Sequence, residues 1–200
     1  MPISHQCEIS LPPWMQSWLE SHSGRLSGQE EGMALAIELA SESVRQGTGG
    51  PFGAVVFDTQ TGELISVGVN RVTDSGLSIA HAEMVAISLA QHRLGEWNLA
   101  EQGIYALVTT CEPCAMCFGA VPWSGVRSLV CGARKSDAEA AGFDEGEKPA
   151  NWTQALQERG IRVEQDVLRD EAAAIFDLYR ESGGEIYNPD QGEPHKDDTG

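Results

Sequence analysis

Positive charge is scarce in this chain. Of its 200 residues only 13 are Lys or Arg against 30 Asp or Glu, a formal net charge of −17. The cations are scattered, with Arg134-Lys135 as the adjacent pair. Such a surface opposes binding to a phosphate backbone, so no nucleic acid polymer is expected as a partner. Long apolar runs are also missing. None approaches the roughly 20 residues of a membrane-spanning helix, and the opening MPISHQCEISLPPW lacks the basic and apolar regions of a signal peptide. No membrane association is expected, and a soluble, unexported chain is. Cysteine is sparse and odd in number, five in all, which argues against a disulfide framework and for a reducing, cytoplasmic setting.

With 41% hydrophobic residues, the chain suffices for one buried core and is short for two. Residues 1–30 mix Pro, Ser and Gly with Trp14 and Trp18 and read as an N-terminal extension that packs by its tryptophans. Residues 31–188 read as the catalytic domain. The tail 189–200, rich in Asp, Glu, Gly and Pro, reads as disordered.

Within the domain, Leu35, Ile37, Leu39, Ala40 and Val44 suit a helix from Met33 to Val44 that ends at Gly47. Phe52–Phe57 and Leu64–Val69 are β-rich runs around a turn and predict a hairpin. Asn70–Ser78 reads as a loop, Ala80–Leu94 as a helix and Ile104–Val108 as a strand. A further helix starts near Pro113, since proline at a first turn loses no hydrogen bond. Short strands are expected at Arg127–Cys131 and Ile161–Val163, with a last helix over Leu168–Arg180. A hairpin followed by strand-helix alternation predicts an α/β fold: a three-layer α/β/α sandwich on a mixed five-stranded sheet.

The chemistry-bearing pattern is His81-Ala82-Glu83 at one helix start and Pro113-Cys114-Ala115-Met116-Cys117 at the next. Alone, His-x-Glu is ordinary surface chemistry, and Cys-x-x-Cys fits a redox pair or half a structural zinc site. Together they offer His81, Cys114 and Cys117 as three ligands for one Zn2+. A catalytic zinc site needs three and keeps a fourth position open. A helix N-terminus favours the thiolates that metal binding requires. Glu83, two residues past His81, is left over as a carboxylate beside the metal's water and is the candidate proton shuttle.

Cys111, Cys114 and Cys117 also form a C-x2-C-x2-C run like part of an iron–sulfur site, but no fourth cysteine follows at the expected spacing. A structural zinc site would need Cys111 as its fourth ligand and would leave Glu83 unexplained. Cys131, in an apolar strand, reads as a small buried hydrophobe.

On these residues the chain resembles the cytidine deaminase superfamily. Over about residues 33–187 it is similar to the guanine deaminase branch in Gly50-Pro51-Phe52-Gly53-Ala54, Asn70, Thr110-Cys111-Glu112-Pro113-Cys114, Met116-Cys117, Gly119-Ala120, Trp123 and Gly142-Phe143-Asp144-Glu145. The resemblance implies hydrolytic deamination of guanine to xanthine and ammonia. Glu83 would shuttle protons, and Glu145, one methylene longer than the aspartate often found there, would help protonate the leaving amine.

It further implies a base site formed by Asn70, Phe52, Trp123, Phe143, Ala82 and Tyr187. Asn70 would bond the polar edge of the base, and Phe52 and Trp123 would wall its ring. Glu185-Ile186-Tyr187-Asn188 resembles a segment closing the pocket, in some relatives from a neighbouring subunit, and a homodimer is implied.

Each residue also has a plainer reading: Phe52 and Trp123 as core aromatics, Asn70 as a turn cap, Glu145 as a solvated loop acid, and Tyr187 as a tail anchor. Ammeline, cytosine, cytidine and the wobble adenosine of tRNA remain as alternative substrates. An iron–sulfur or structural zinc module remains as the non-enzymatic alternative.

Overall fold

A computed structural model describes residues 3, 5–22 and 24–188. The acidic tail expected to be disordered lies outside the described residues. The elements run α1 (Met15–Ser21), α2 (Gln29–Arg45), β1 (Gly53–Asp58), β2 (Leu64–Val69), α3 (Val72–Ser75), α4 (Ala82–Leu94), β3 (Tyr105–Cys111), α5 (Ala115–Ser124), β4 (Ser128–Ala133), α6 (Lys135–Ala140), α7 (Trp152–Gln157), β5 (Arg162–Glu164) and α8 (Arg169–Glu181). Among the described residues no helix is long and apolar enough to cross a membrane.

The sheet has the order β2-β1-β3-β4-β5. β1 pairs antiparallel with β2 and with β3, whereas β3–β4 and β4–β5 are parallel. This is the expected mixed, five-stranded sheet with helices on both faces. The central strand, β3 (YALVTTC), is buried at every position, which suits a near-continuous apolar run covered on both sides.

Strand periodicity divides the core. Ala54, Val56, Leu107 and Leu129 face a cluster with Ala86 and Ala90 of α4, Val121 of α5 and Leu156 of α7. Val55, Phe57, Val108 and Val130 face the other way, onto Met33, Ala36 and Leu39 of α2. Beside them, α8 brings Ala172, Ile175 and Phe176 against Ala40 and Val44.

Two expected boundaries move. Helix α2 begins at Gln29, earlier than its apolar spacing suggests, because the first turn is polar: Glu30 and Glu31 sit at the positive end of the helix. The boundary drawn at residue 30 therefore falls inside α2. Upstream of it, Met15 is fully buried in the cluster of Met33 and Leu39. Trp14 Nε1 donates to Thr48 Oγ1 at 3.1 Å, and Trp18 Nε1 donates to Glu38 Oε1 at 3.1 Å. One methionine and two tryptophans thus seat the N-terminal segment on α2.

One glycine decides how α4 reaches the site. A Cβ on Gly68 in β2 would lie 2.1 Å from the Ala82 carbonyl oxygen and 2.7 Å from the Ala86 nitrogen. The missing side chain lets the first turn of α4 lie directly on the sheet, carrying His81 and Glu83 with it.

Candidate zinc centre and base pocket

His81 is the N-cap of α4 and Cys114 the N-cap of α5, so two helix starts meet at one point. Strand β3 ends at Cys111 and its partner β4 at Ala133, which puts this point beyond the carboxyl ends of the parallel pair. Ligands in open α/β sheets bind at that edge.

His81 Nδ1 lies 3.5 Å from Cys114 Sγ and 3.7 Å from Cys117 Sγ. The three ligand atoms all fall within 4.8 Å of one another. A tetrahedral zinc with bonds of about 2.0 and 2.3 Å would set its N···S edge at about 3.5 Å, so the donor set fits zinc in both chemistry and spacing.

Without the metal, the Cys114 thiol is pulled down to about 4, first by a hydrogen bond from Cys117 and then by His81. Burial works against protonation of His81. Its pKa nevertheless rises, because the hydrogen bond to Cys114 and the charges of Glu83 and Cys114 outweigh that penalty. The site is therefore built around a thiolate.

Glu83 is buried beside this set, and its carboxyl is pushed above the usual carboxylate range, chiefly by burial and then by the Cys114 charge. Glu145 approaches from the irregular segment after α6 and is 5% exposed. Burial first, then the charges of Cys114 and Glu83, raises its pKa to about 8. Among the described residues its Oε2 has no hydrogen-bond partner.

Both carboxyls line a cavity of about 590 Å³, along with His81 and Cys114. Phe52, Phe143 and Tyr187 form its aromatic wall. The Phe52 and Phe143 rings meet edge-on at 5.1 Å, and Phe143 and Tyr187 at 5.4 Å. Tyr187 fits over Gly50, where a Cβ would stand 2.4 Å from the phenol oxygen. The Tyr187 hydroxyl is buried without a partner. Glu185, Ile186 and Asn188 line the same cavity, so the C-terminal segment lies over its own chain's pocket.

Not every expected site residue is there. Trp123 is 77% exposed on α5 and is not part of the cavity wall, because the helix turns that position away from the ligand-bearing end. Ala82 is fully buried in the core under α4, so its side chain is not a wall either. Asn70 is 1% exposed and accepts the Val72 N–H at 3.1 Å on Oδ1, as a turn cap does. Its Nδ2 is buried without a partner.

Cys111 lines the cavity but stands outside the ligand cluster, its thiol donating to the Arg134 carbonyl at 3.6 Å. The ligand cluster of one imidazole and two thiols does not suit an all-cysteine iron–sulfur site. Cys131 is buried in the core, as expected.

Sequence reasoning missed Val72, Ser78 and Met116 in the lining, and also Lys148, whose ammonium reaches the turn before Cys114. The apolar and small residues carry no signal by type. A lone lysine in an acidic loop offers none either.

Residues 26–133 match the cytidine and deoxycytidylate deaminase zinc-binding region. The chain is 42% identical over 135 residues to the guanine deaminase of Bacillus subtilis (strain 168), covering 68% of this chain and 83% of that protein. It is 31% identical over 135 residues to a tRNA-specific adenosine deaminase of Streptococcus pyogenes serotype M1, covering 68% and 74%. A solved guanine deaminase from Nitrosomonas europaea superposes with a TM-score of 0.84 at 44% identity, over 90% of this chain and 100% of that one.

Proposed function

Because the chain belongs to the cytidine and deoxycytidylate deaminase zinc-binding family, we propose that it hydrolyses the exocyclic amine of guanine, giving xanthine and ammonia. The observation that carries this reading is the pair of buried carboxyls, Glu83 and Glu145, beside one three-ligand zinc set in an aromatic-walled cavity. The similarity to two guanine deaminases supports the substrate.

His81, Cys114 and Cys117 would hold the zinc, which when bound would supply a Lewis acid able to bring the pKa of water down to about 7. Glu83 takes the proton of the attacking water and returns it to a ring nitrogen of the base. Glu145 delivers a proton to the departing amine and regains one from the remaining hydrogen of the added water as the new carbonyl forms. A carboxyl whose pKa has been raised toward neutrality by burial is matched to both acid and base work. Phe52 and Phe143, in edge-on contact with each other, form one aromatic wall against which the planar ring packs, and exclude water. The unpartnered groups on Tyr187 and Asn70 are the donors left for the polar edge of the base.

The segment Glu185–Asn188 covers the cavity, and the surface carries a net charge of −17. Both features favour a free base over an adenosine within tRNA. Cys114 and Cys117 must stay reduced to bind the metal as thiolates, which a reducing cytoplasm maintains.

The molecule is a homodimer in this reading. Met116, Gly119 and Trp123 are exposed at helical spacing along α5, an apolar stripe that a second copy would cover.

The test is ammonia release by zinc-loaded protein from guanine, guanosine, cytosine, cytidine, adenine and ammeline, with Glu83→Gln as the control. Turnover of guanine is expected, with kcat falling by about 10²–10⁴ in the variant while zinc is retained. Turnover of cytosine or ammeline in place of guanine would move the substrate. Normal turnover in the variant would remove Glu83 from its role.

A further inference from the structure

Glu145 is an unusual residue for its task, because no side-chain hydrogen bond aims it. Its Oε2 is buried and unpartnered, and it sits in the irregular stretch between α6 and α7, where no ladder fixes the backbone. Its position therefore has to come from the pins on that stretch.

From Glu145 onward, three pins connect the stretch to neighbouring turns. The Glu145 carbonyl accepts the Ala115 N–H at 2.9 Å, at the start of the ligand helix α5. The Gly146 carbonyl accepts Lys135 Nζ at 2.9 Å. Lys148 Nζ donates to the Pro113 carbonyl at 2.8 Å, one residue before the ligand Cys114.

The third pin is the costly one. The Lys148 side chain is 3% exposed, and burying an ammonium costs several kcal/mol before its partners are counted. Glu112 Oε2 lies 3.6 Å away, and the ammonium stands 4.3 Å from the centre of the Trp152 ring. Glu112 is in turn held by Gln165 Nε2 at 2.5 Å and the Lys135 N–H at 3.3 Å. Replacing a buried ion pair, both partners together, by apolar bulk of similar volume is often neutral for stability. Packing alone therefore calls for no charge here, whereas a directional bond to the Pro113 carbonyl does.

We propose that Lys148 is a positioning residue for the reaction: its ammonium ties the segment bearing Glu145 to the turn that delivers Cys114, setting the distance of the Glu145 carboxyl from the substrate amine. The inference rests on the deaminase reading for the role of Glu145, but the tie itself is independent of substrate.

A double-mutant cycle on the full zinc-loaded chain tests it, using Glu145→Gln, Lys148→Met and the pair. Each single change is expected to lower kcat at least tenfold with KM within about threefold and zinc content unchanged. The double variant should be slower than the slower single by less than about twofold, because both act through one group. Additive losses, or Lys148→Met with a kcat within twofold of the parent, would overturn the proposal. If Lys148→Met does not fold, Lys148→Gln carries the same cycle, and its shorter amide should still lose the tie.

A parent chain silent on every base would instead sink the proposed reaction. The tie is then read from amide hydrogen exchange at Ala115, which Lys148→Met should speed and Glu145→Gln should not. Unchanged exchange at Ala115 would overturn the role of Lys148 even then.

Discussion

The side-chain amide of Asn188 grips the turn at Gly142, donating to the Gly142 carbonyl at 2.8 Å while its oxygen accepts the Asp144 N–H at 2.9 Å. The residue that latches the C-terminal segment thus latches it to the turn carrying Phe143 and Glu145. Two solvent-facing hydrogen bonds contribute about 1 kcal/mol each.

Asn188→Ala is accordingly expected to raise KM for the base about tenfold, with zinc content and melting temperature nearly unchanged. Limited proteolysis should cut the variant sooner near residue 185. A KM equal to that of the parent would mean that Tyr187 packing alone holds the segment down.

Gly68→Ala places a Cβ where the Ala82 carbonyl lies 2.1 Å away. Backbone on both sides leaves nothing flexible to yield, so α4 has to move off the sheet. The expected cost is about 3 kcal/mol or more, at the upper end of overpacking, with weakened zinc retention as His81 shifts. Thermal melting and metal content after dialysis check both. A variant as stable as the parent would show that β2 gives way more easily than α4.

The acid limb of stability has a structural source. Arg169 grips both oxygens of Asp137 at 2.9 and 2.8 Å, and Arg134 grips Asp166 at 2.7 and 2.6 Å. The Arg169 hydrogen bond holds the Asp137 carboxyl below its ordinary value, and Arg134 does the same for Asp166. Depressed carboxylates stabilise the fold above their unfolded pKa, and that contribution is lost as pH falls through the folded value. Melting temperature is expected to fall from about pH 4 downward, less steeply in Asp137→Asn. Equal slopes in the two proteins would assign the acid limb to other groups. Because these pairs are largely solvent-exposed, the effect should shrink in high salt.

Trp123→Glu, on the exposed stripe of α5, is expected to halve the mass seen by sedimentation and to leave zinc content unchanged. A parent chain that already sediments as a monomer would remove the dimer.

Much of the site is local and therefore legible. Zinc ligation demands His and Cys by type, and the spacing of His81, Glu83, Cys114 and Cys117 within two helix starts survives any arrangement of the rest. Trp123 shows where that reasoning fails. An aromatic near the ligands in sequence is placed by the helical turn, and the turn points it to solvent. Lys148 and Asn188 are the opposite case, ordinary polar residues in loops, which gain a role only from the carbonyls folded against them.

The sequence by itself determined the order of the five strands along the chain, the mixed sheet and the metal-binding residue set, because side-chain periodicity and ligand chemistry are properties of short stretches; the short helix α3 inside the expected loop Asn70–Ser78 was not legible. Only the tertiary structure decided that residues 11–22 join the core through Met15. It alone buried the Asn70 amide with Oδ1 on the Val72 N–H and Nδ2 left over, and it brought Glu145 and Tyr187, distant along the chain, to one cavity with Glu83. Those outcomes depend on contacts between residues tens of positions apart, where burial leaves a polar atom either paired or turned toward a ligand.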